Sequence, residues 1–241
     1  DSTMQEKIAK EDYYVYDFAL PMLLINALYY GQTQYLKHWF EICPRKQFTT
    51  LDTHDGIGVV DVKDLLPDEE IGRTKEDIFK FGANVKKIYN TAAYNNLDIY
   101  QVNCSYYSAL GDEDDAYLLA RAVQFFAPGI PQVYYVGLLA GKNDLKLLEE
   151  TKVGRNINRH YYTKEEIDAE VKRPVVAELL RMMEFRNAHP AFDGTFELET
   201  CDDDKLVIVR RNGDAWAKLS TDFKAKKFEI TYTEDGEVHT F

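Results

Sequence analysis

Cysteine is scarce in this chain of 241 residues, which contains only Cys43, Cys104 and Cys201. The three are far apart, odd in number and without metal-ligand spacing, so the sequence predicts neither a disulfide framework nor a cysteine metal site. Free thiols are typical of a reducing compartment. We therefore expect the protein to be cytoplasmic.

Long apolar runs are absent as well. No stretch approaches the roughly 20 apolar residues that a transmembrane helix requires, and the sequence shows no secretory signal peptide. Because the chain begins with Asp1 rather than Met, the second absence carries little weight. The sequence gives no reason to expect a membrane protein.

Positive charge is in deficit, with 29 Lys and Arg against 41 Asp and Glu and a net charge of -12. This balance disfavours nucleic acid and anionic membranes as partners. A neutral substrate fits better, or an anion held by a few local cations. The apolar fraction of 45% excludes disorder. The 17 Tyr suit stacking on sugar rings, although tyrosine more commonly fills cores and interfaces.

The segment 51–58, LDTHDGIG, is the most informative motif. A short β-prone run over 48–51 delivers His54 and Asp55 to a glycine-rich turn. Catalytic groups tend to sit where strands of a rigid barrel end, so an imidazole and a carboxylate here could face a pocket. The alternative is that Asp55 caps the next segment and His54 is a core residue.

Two regions follow from hydrophobic periodicity. Residues 1–192 alternate between strand-like and helix-like segments. We predict strands over 13–20, 48–53 and 131–136, and helices over 22–39, 75–87, 112–126 and 173–187. From residue 193 to residue 241 the pattern is that of a small antiparallel β domain, with strands over 195–199, 206–209 and 227–232 and turns at 202–204, 212–213 and 235–236. This order suggests an α/β barrel segment followed by a β domain.

Four segments carry a resemblance to a known family. They are LDTHDGIG at 51–58, NLDIYQVN at 96–103, PGIPQVYYVGLLAGKN at 128–143 and GRNINRHYY at 154–162. Together they resemble the sucrose phosphorylases, a branch of the α-amylase-like retaining glycosidase family. The resemblance runs through essentially the whole chain. It implies the C-terminal portion of a (β/α)8 TIM barrel, about strands 6–8, followed by the antiparallel β domain.

The resemblance also implies roles for individual residues. Asp55 is similar to the family carboxylate that stabilises the transition state after the seventh strand. His54 and Arg155 are similar to residues that bind glucose hydroxyls, for which a planar arginine fork is well suited. Residues of the loop that lines the acceptor subsite in this family correspond to Leu97, Asp98, Tyr100 and Gln101.

Each of these roles has a structural alternative. Arg155 lies among other cations and could be a surface arginine, and Asp98 and Gln101 could be ordinary turn residues.

One departure from the family pattern concerns the reaction itself. Retaining glycosyl transfer needs two carboxyl groups about 5 Å apart, one as nucleophile and one as acid/base. The family carries them after barrel strands four and five, for which this chain has no matching motif. Glu11, Asp12 and Asp17 lie in the wrong context. The resemblance therefore predicts a chain that is catalytically incomplete without the N-terminal half of the barrel.

The function implied by the resemblance is glucosyl transfer from sucrose to inorganic phosphate by retaining double displacement. The products are fructose and α-glucose 1-phosphate, no metal or other cofactor is expected, and the family is often dimeric. Two alternatives stay open. One is a related enzyme that acts on sucrose 6'-phosphate or glucosylglycerate, or a glucoside hydrolase. The other is a catalytically incomplete sugar-binding fragment.

Overall fold

The computed structural model describes residues 7, 8, 10–80 and 101–241. In the first part of the chain, short strands alternate with helices. The strands there are β1 (Val15–Asp17), β2 (Gln47–Thr49), β3 (Ile57–Gly58), β4 (Gln101–Val102) and β5 (Ile130–Pro131). The helices are α1 (Leu20–Tyr30), α2 (Gln34–Ile42), α3 (Asp68–Ile78), α4 (Tyr106–Ala109), α5 (Asp114–Phe126), α6 (Tyr135–Leu138), α7 (Leu145–Thr151), α8 (Lys164–Glu170) and α9 (Pro174–Ala188). Within the described residues, no helix is long and apolar enough to cross a membrane.

A three-stranded parallel sheet organises this part, in the order β1-β2-β5. Val15 pairs with Gln47, and Phe48 pairs with Ile130. Parallel neighbours need crossover connections, which α1 and α2 supply between β1 and β2. The carboxyl ends of the strands consequently meet at one edge of the sheet, as in a barrel segment.

The structure corrects several predicted boundaries. The single helix expected over 22–39 is divided, because Gly31 adopts φ 62° and donates its N–H to the Ala27 carbonyl, which ends α1. The strand expected over 131–136 is largely wrong, since β5 stops at Pro131 and α6 begins at Tyr135. The helix expected over 75–87 begins earlier, at Asp68, and ends at Ile78; residues 81–87 lie outside the described residues.

The second region is a five-stranded antiparallel sheet in the order β10-β9-β8-β7-β6. Its strands are β6 (Thr195–Glu199), β7 (Lys205–Asn212), β8 (Ala215–Asp222), β9 (Lys227–Glu234) and β10 (Glu237–Thr240). The antiparallel prediction is correct, but β8 and β10 were not foreseen. Core residues from both regions form one continuous cluster. The division into domains at residue 193 therefore stays a prediction.

Arg210 of β7 joins the two regions. Its buried guanidinium donates hydrogen bonds to the carbonyl oxygens of Phe126 and Ala127, at the end of α5, and to those of Phe192 and Thr195. Burial lowers the pKa of Arg210 to about 10. The carbonyls at a helix C-terminus carry partial negative charge, so the cation and the helix end stabilise each other.

A buried ion pair ties α5 to the segment that follows β2. Arg121 Nη2 lies 2.8 Å from Asp52 Oδ2, and the two side chains are 0% and 2% exposed. The remaining guanidinium nitrogens donate to the Tyr117 hydroxyl and to Gln124 Oε1. Burial raises the pKa of Asp52, and the Arg121 charge acts against that shift. A Cβ at Gly137 would lie 1.8 Å from Asp52 Oδ2, so this position accepts only glycine.

We expect Arg121→Met to lower the free energy of unfolding by about 3–5 kcal/mol, because it leaves the Asp52 carboxylate buried without its counter-charge. Chemical denaturation of the chain measures this change. As a matched control, Arg181→Met removes an exposed arginine paired with Glu178 and should cost less than about 1 kcal/mol. Adding Asp52→Leu to Arg121→Met should recover part of the loss. A loss no larger than that of the control would contradict this role of the pair.

Candidate active site

A cavity of about 460 Å³ opens at the carboxyl edge of the parallel sheet. Residues that follow all three strands contribute to it, which is the arrangement expected at the catalytic end of a barrel. Its lining comprises Tyr16 and Phe18 beside the end of β1, residues 50, 52–56, 58, 60 and 61 beyond β2, Gln132 and Tyr134 beyond β5, and Gln101 of β4.

The turn that carries His54 and Asp55 is held through its backbone. The Asp55 N–H donates to Thr53 Oγ1 at 3.2 Å, and the Asn103 amide donates to the Asp55 carbonyl at 2.9 Å. Asn158, more than 100 residues further along the chain, donates to the Thr53 carbonyl at 3.0 Å. The turn therefore depends on two asparagines that arrive from other parts of the fold.

The Asp55 carboxylate lies among two arginines and a histidine. Its Oδ1 is 3.1 Å from Arg155 Nη1, 3.3 Å from Arg159 Nη2 and 3.4 Å from His54 Nε2. The Asp55 side chain is 37% exposed and that of His54 is 67% exposed, so both are open to the cavity. The structure thus brings together Asp55, His54 and Arg155, while the roles that the resemblance implies for them stay predictions.

Of the four residues predicted for the acceptor loop, Gln101 is within the described part of the chain. Gln101 lies at the start of β4, lines the cavity and is half-buried. Strand β4 pairs with β3, which follows the His54–Asp55 turn, and this pairing brings Gln101 to the same opening. Leu97, Asp98 and Tyr100 lie outside the described residues.

Arg159 also contacts the His54–Asp55 turn, which sequence reasoning did not predict. Besides its contact with Asp55, its Nε donates to the His54 carbonyl at 2.8 Å. The available signal was its place four residues after Arg155 in the segment GRNINRHYY. Tyr134 also lines the cavity and donates its hydroxyl to the Asn158 carbonyl at 2.8 Å.

Asp17 ends β1, but its carboxylate has a structural role. Its oxygens accept hydrogen bonds at 3.0 Å from the N–H groups of Ala19 and Leu20 and from the Trp39 indole. Burial raises the pKa of Asp17 to about 6, even though these hydrogen bonds lower it. Asp12 is exposed and pairs with Lys46. Neither carboxylate lines the cavity.

Metal ligands are not gathered at this edge. Across residues 7, 8, 10–80 and 101–241, no three His, Cys, Asp or Glu side chains are placed to hold a metal ion.

Known proteins similar to this chain include sucrose phosphorylases and a glucosylglycerol phosphorylase. The sucrose phosphorylase of Streptococcus mutans is 57% identical over 241 residues, which cover 99% of this chain and 50% of that protein. The glucosylglycerol phosphorylase of Marinobacter adhaerens is 45% identical over 239 residues, covering 98% of this chain and 50% of that protein. No protein-family model matches the chain.

A solved structure has the same fold over nearly the whole of this chain. The crystal structure of sucrose 6F-phosphate phosphorylase from Thermoanaerobacter thermosaccharolyticum matches with a TM-score of 0.91 and 42% identity, over 99% of this chain and 49% of that one. The chain thus spans about half the length of the relatives it matches. Together with the parallel and antiparallel sheets, this likeness confirms the predicted fold class, part of a (β/α)8 barrel followed by a β domain.

The buried Asp17 carboxyl predicts a pH dependence of stability. Its pKa in the folded chain, about 6, lies above its ordinary value of 3.8, so the folded chain binds the proton more tightly. Its contribution to stability is therefore complete below pH 3.8 and is lost as the pH rises through about 6. The shift corresponds to roughly 3 kcal/mol.

Asp17→Asn should remove this loss, because asparagine keeps an oxygen for the Ala19 and Leu20 amides but does not ionise. Urea unfolding at a series of pH values from 4 to 7 measures the change. Asp12→Asn, an exposed control, should keep the pH dependence of the unmodified chain. An unaltered pH dependence in Asp17→Asn would contradict the assignment.

Proposed function

Because this chain belongs to the sucrose phosphorylase family, we propose that it supplies part of the active site of a retaining phosphorylase that transfers glucose from sucrose to inorganic phosphate. The observation that carries this proposal is the Asp55 carboxylate, open to the cavity and contacted through one oxygen by two arginines and a histidine. The sequence identity of 57% to a sucrose phosphorylase favours sucrose as the glucosyl donor.

Asp55 would act on the glucosyl ring without forming a bond to it. Positive charge develops on the ring in the oxocarbenium-like transition state, and hydrogen bonds from the ring hydroxyls to a carboxylate strengthen as the ring flattens. Asp55 would accept those hydrogen bonds, and His54 and Arg155 would donate to neighbouring hydroxyl oxygens. The exposure of His54 and Asp55 at the cavity suits such contacts.

The reaction itself would take two displacements. In the first, a carboxylate nucleophile attacks the anomeric carbon while an acid gives its proton to the departing fructose oxygen. In the second, phosphate attacks the anomeric carbon from the face that fructose left, opposite the ester bond. The residue that served as acid takes up the phosphate proton, the carboxylate nucleophile leaves, and α-glucose 1-phosphate forms with retention. The nucleophile and the acid would come from the remainder of the barrel.

The local charge of the site suits an anionic acceptor. Although the chain carries a net charge of -12, Arg155 and Arg159 place two guanidinium groups beside one carboxylate at the cavity. Guanidinium groups bind phosphate oxygens well. Phosphate can therefore compete with water for the glucosyl intermediate when cations are placed near its path.

The outer edges of the parallel sheet are where the remainder of the barrel would dock. In the described part of the chain, β1 and β5 each pair with β2 along one edge, so their outer edges are open. Tyr16 of β1 and Ile130 of β5 are both exposed. Open edges and apolar side chains favour pairing with further strands. We propose that the N-terminal half of the barrel occupies these edges; a homodimer and a cytoplasmic location stay predictions.

A product assay tests the proposed function. The chain is combined with the N-terminal half of the barrel and supplied with sucrose and inorganic phosphate. We expect α-glucose 1-phosphate and fructose, and no product from the chain alone. Turnover of sucrose 6'-phosphate or a glucosylglycerol in place of sucrose would instead favour the specificity of the other relatives, and glucose alone would indicate a hydrolase.

In the completed enzyme, Asp55→Asn should lower kcat on the order of 100-fold or more, because a transition-state contact of this kind contributes about 3 kcal/mol. Initial rates with saturating sucrose and phosphate measure the change. Asp168→Asn, on the exposed face of α8, is the matched control and should leave kcat unchanged. Near-normal turnover in Asp55→Asn would contradict the role of this carboxylate.

Arg155→Lys in the same enzyme should raise KM for sucrose as well as lower kcat. A lysine ammonium cannot reproduce the planar fork with which arginine contacts two neighbouring oxygens. Steady-state kinetics over a range of sucrose concentrations separate the two parameters. An unchanged KM would argue against direct contact between Arg155 and the sugar.

A further inference from the structure

Arg159 holds both the backbone and the side chain of the His54–Asp55 turn. Its Nε donates to the His54 carbonyl at 2.8 Å, and its Nη2 lies 3.3 Å from Asp55 Oδ1. These partners are more than 100 residues away in sequence, so the contact joins two separate parts of the barrel edge. A guanidinium that donates to two acceptors through two different nitrogens has little freedom to turn.

Arg155 differs from Arg159 in this respect. Its ion pair with the turn joins Nη1 and Asp55 Oδ1 at 3.1 Å. Arg159 donates its Nε–H to the backbone carbonyl of His54, so a contact within the protein sets the orientation of its guanidinium. Arg155 is therefore better suited to adjust its orientation and bind a sugar, and Arg159 is better suited to hold the turn in place.

The segment that carries Arg159 is anchored on both sides. On one side, Asn158 donates to the Thr53 carbonyl and accepts from the Tyr134 hydroxyl. On the other side, His160 lies between two carboxylates, with Nδ1 2.6 Å from Asp144 Oδ2 and Nε2 2.6 Å from Glu166 Oε2.

The anchor at His160 also involves the backbone. The Tyr135 hydroxyl donates to the His160 carbonyl at 2.9 Å, and the Asp144 N–H donates to the Ile157 carbonyl at 2.7 Å. Since the chain is pinned immediately before and after Arg159, the position of its guanidinium is determined before any ligand binds. Such pre-organisation is what a precise active site requires of its supporting residues.

We propose that Arg159 is a positioning residue, which fixes the rotamer of Asp55 so that its second carboxylate oxygen faces the glucosyl ring. Within the described part of the chain, Arg155, Arg159 and His54 all contact Oδ1, so Oδ2 of this cavity-lining side chain takes part in none of these three contacts. The inference rests on the proposed function, because it assigns Asp55 to the transition state. It adds a residue that the family resemblance did not assign.

The consequence is a specific pattern of kinetic change. Asp55 contacts the sugar most strongly in the transition state, so a loosened Asp55 loses transition-state binding more than ground-state binding. In the completed enzyme, Arg159→Gln should lower kcat about 10- to 100-fold and change KM for sucrose by less than about threefold. The kcat of Arg159→Lys should lie between those of the unmodified enzyme and Arg159→Gln. The lysine keeps the positive charge, but one ammonium cannot reach both acceptors in the same geometry.

The experiment measures kcat and KM for these variants alongside the unfolding transition of each. Arg211→Gln, which removes a half-exposed arginine of β7 in a loose pair with Glu197, is the matched control and should leave kcat unchanged. In Arg159→Ala, added guanidinium ion should restore part of kcat, whereas sodium chloride at equal ionic strength should not. A purely structural role would not produce that rescue.

Two results would overturn the inference. One is an Arg159→Gln enzyme with the kcat of the unmodified enzyme. The other is a loss of kcat that guanidinium does not relieve and that follows the folded fraction. The unmodified enzyme separates this inference from the proposed function: if it releases glucose instead of glucose 1-phosphate, the phosphorylase proposal fails, and the same variants are compared by the rate of glucose release.

Discussion

The buried ion pair between Asp52 and Arg121 is the interaction on which the site depends. It fixes the chain three residues before Asp55 and joins it to α5 through a network that includes Tyr117 and Gln124. Breaking such a pair leaves an uncompensated buried charge, which costs several kcal/mol. The Asp55 turn therefore starts from a rigid point and can project an exposed carboxylate into the cavity without collapsing onto the sheet.

The side chains that contact Asp55 support it in two ways. His54 lines the cavity and Arg155 contacts the Asp55 carboxylate there, so both suit contact with a ligand, whereas Arg159 also donates to the His54 backbone carbonyl. Behind them, the carboxylates of Asp144 and Glu166 hold His160 and thereby the whole arginine segment. The Asp55 carboxylate is thus backed by the arginines and, behind them, by the pairs of His160 with Asp144 and Glu166.

Sequence reasoning reached the part of the site that local motifs encode. The segment LDTHDGIG and the family resemblance together singled out Asp55, which the structure places at the cavity, and hydrophobic periodicity predicted the helix α5, which the structure places at Asp114–Phe126. It missed the contacts of Arg159, because a cation among other cations carries no local signal of its distant partners. It missed the break at Gly31 because the apolar pattern continues across it, and it extended β5 too far because aromatic residues suit both strands and helix starts.

The central claim is that this site serves retaining glucosyl transfer to phosphate. The most direct measurement is proton NMR of the product while the completed enzyme turns over sucrose in phosphate buffer. Because the anomeric coupling distinguishes the two configurations, the spectrum reports stereochemistry and acceptor together. The account predicts α-glucose 1-phosphate as the first product. Formation of the β-anomer, or of free glucose with no phosphate ester, would contradict it.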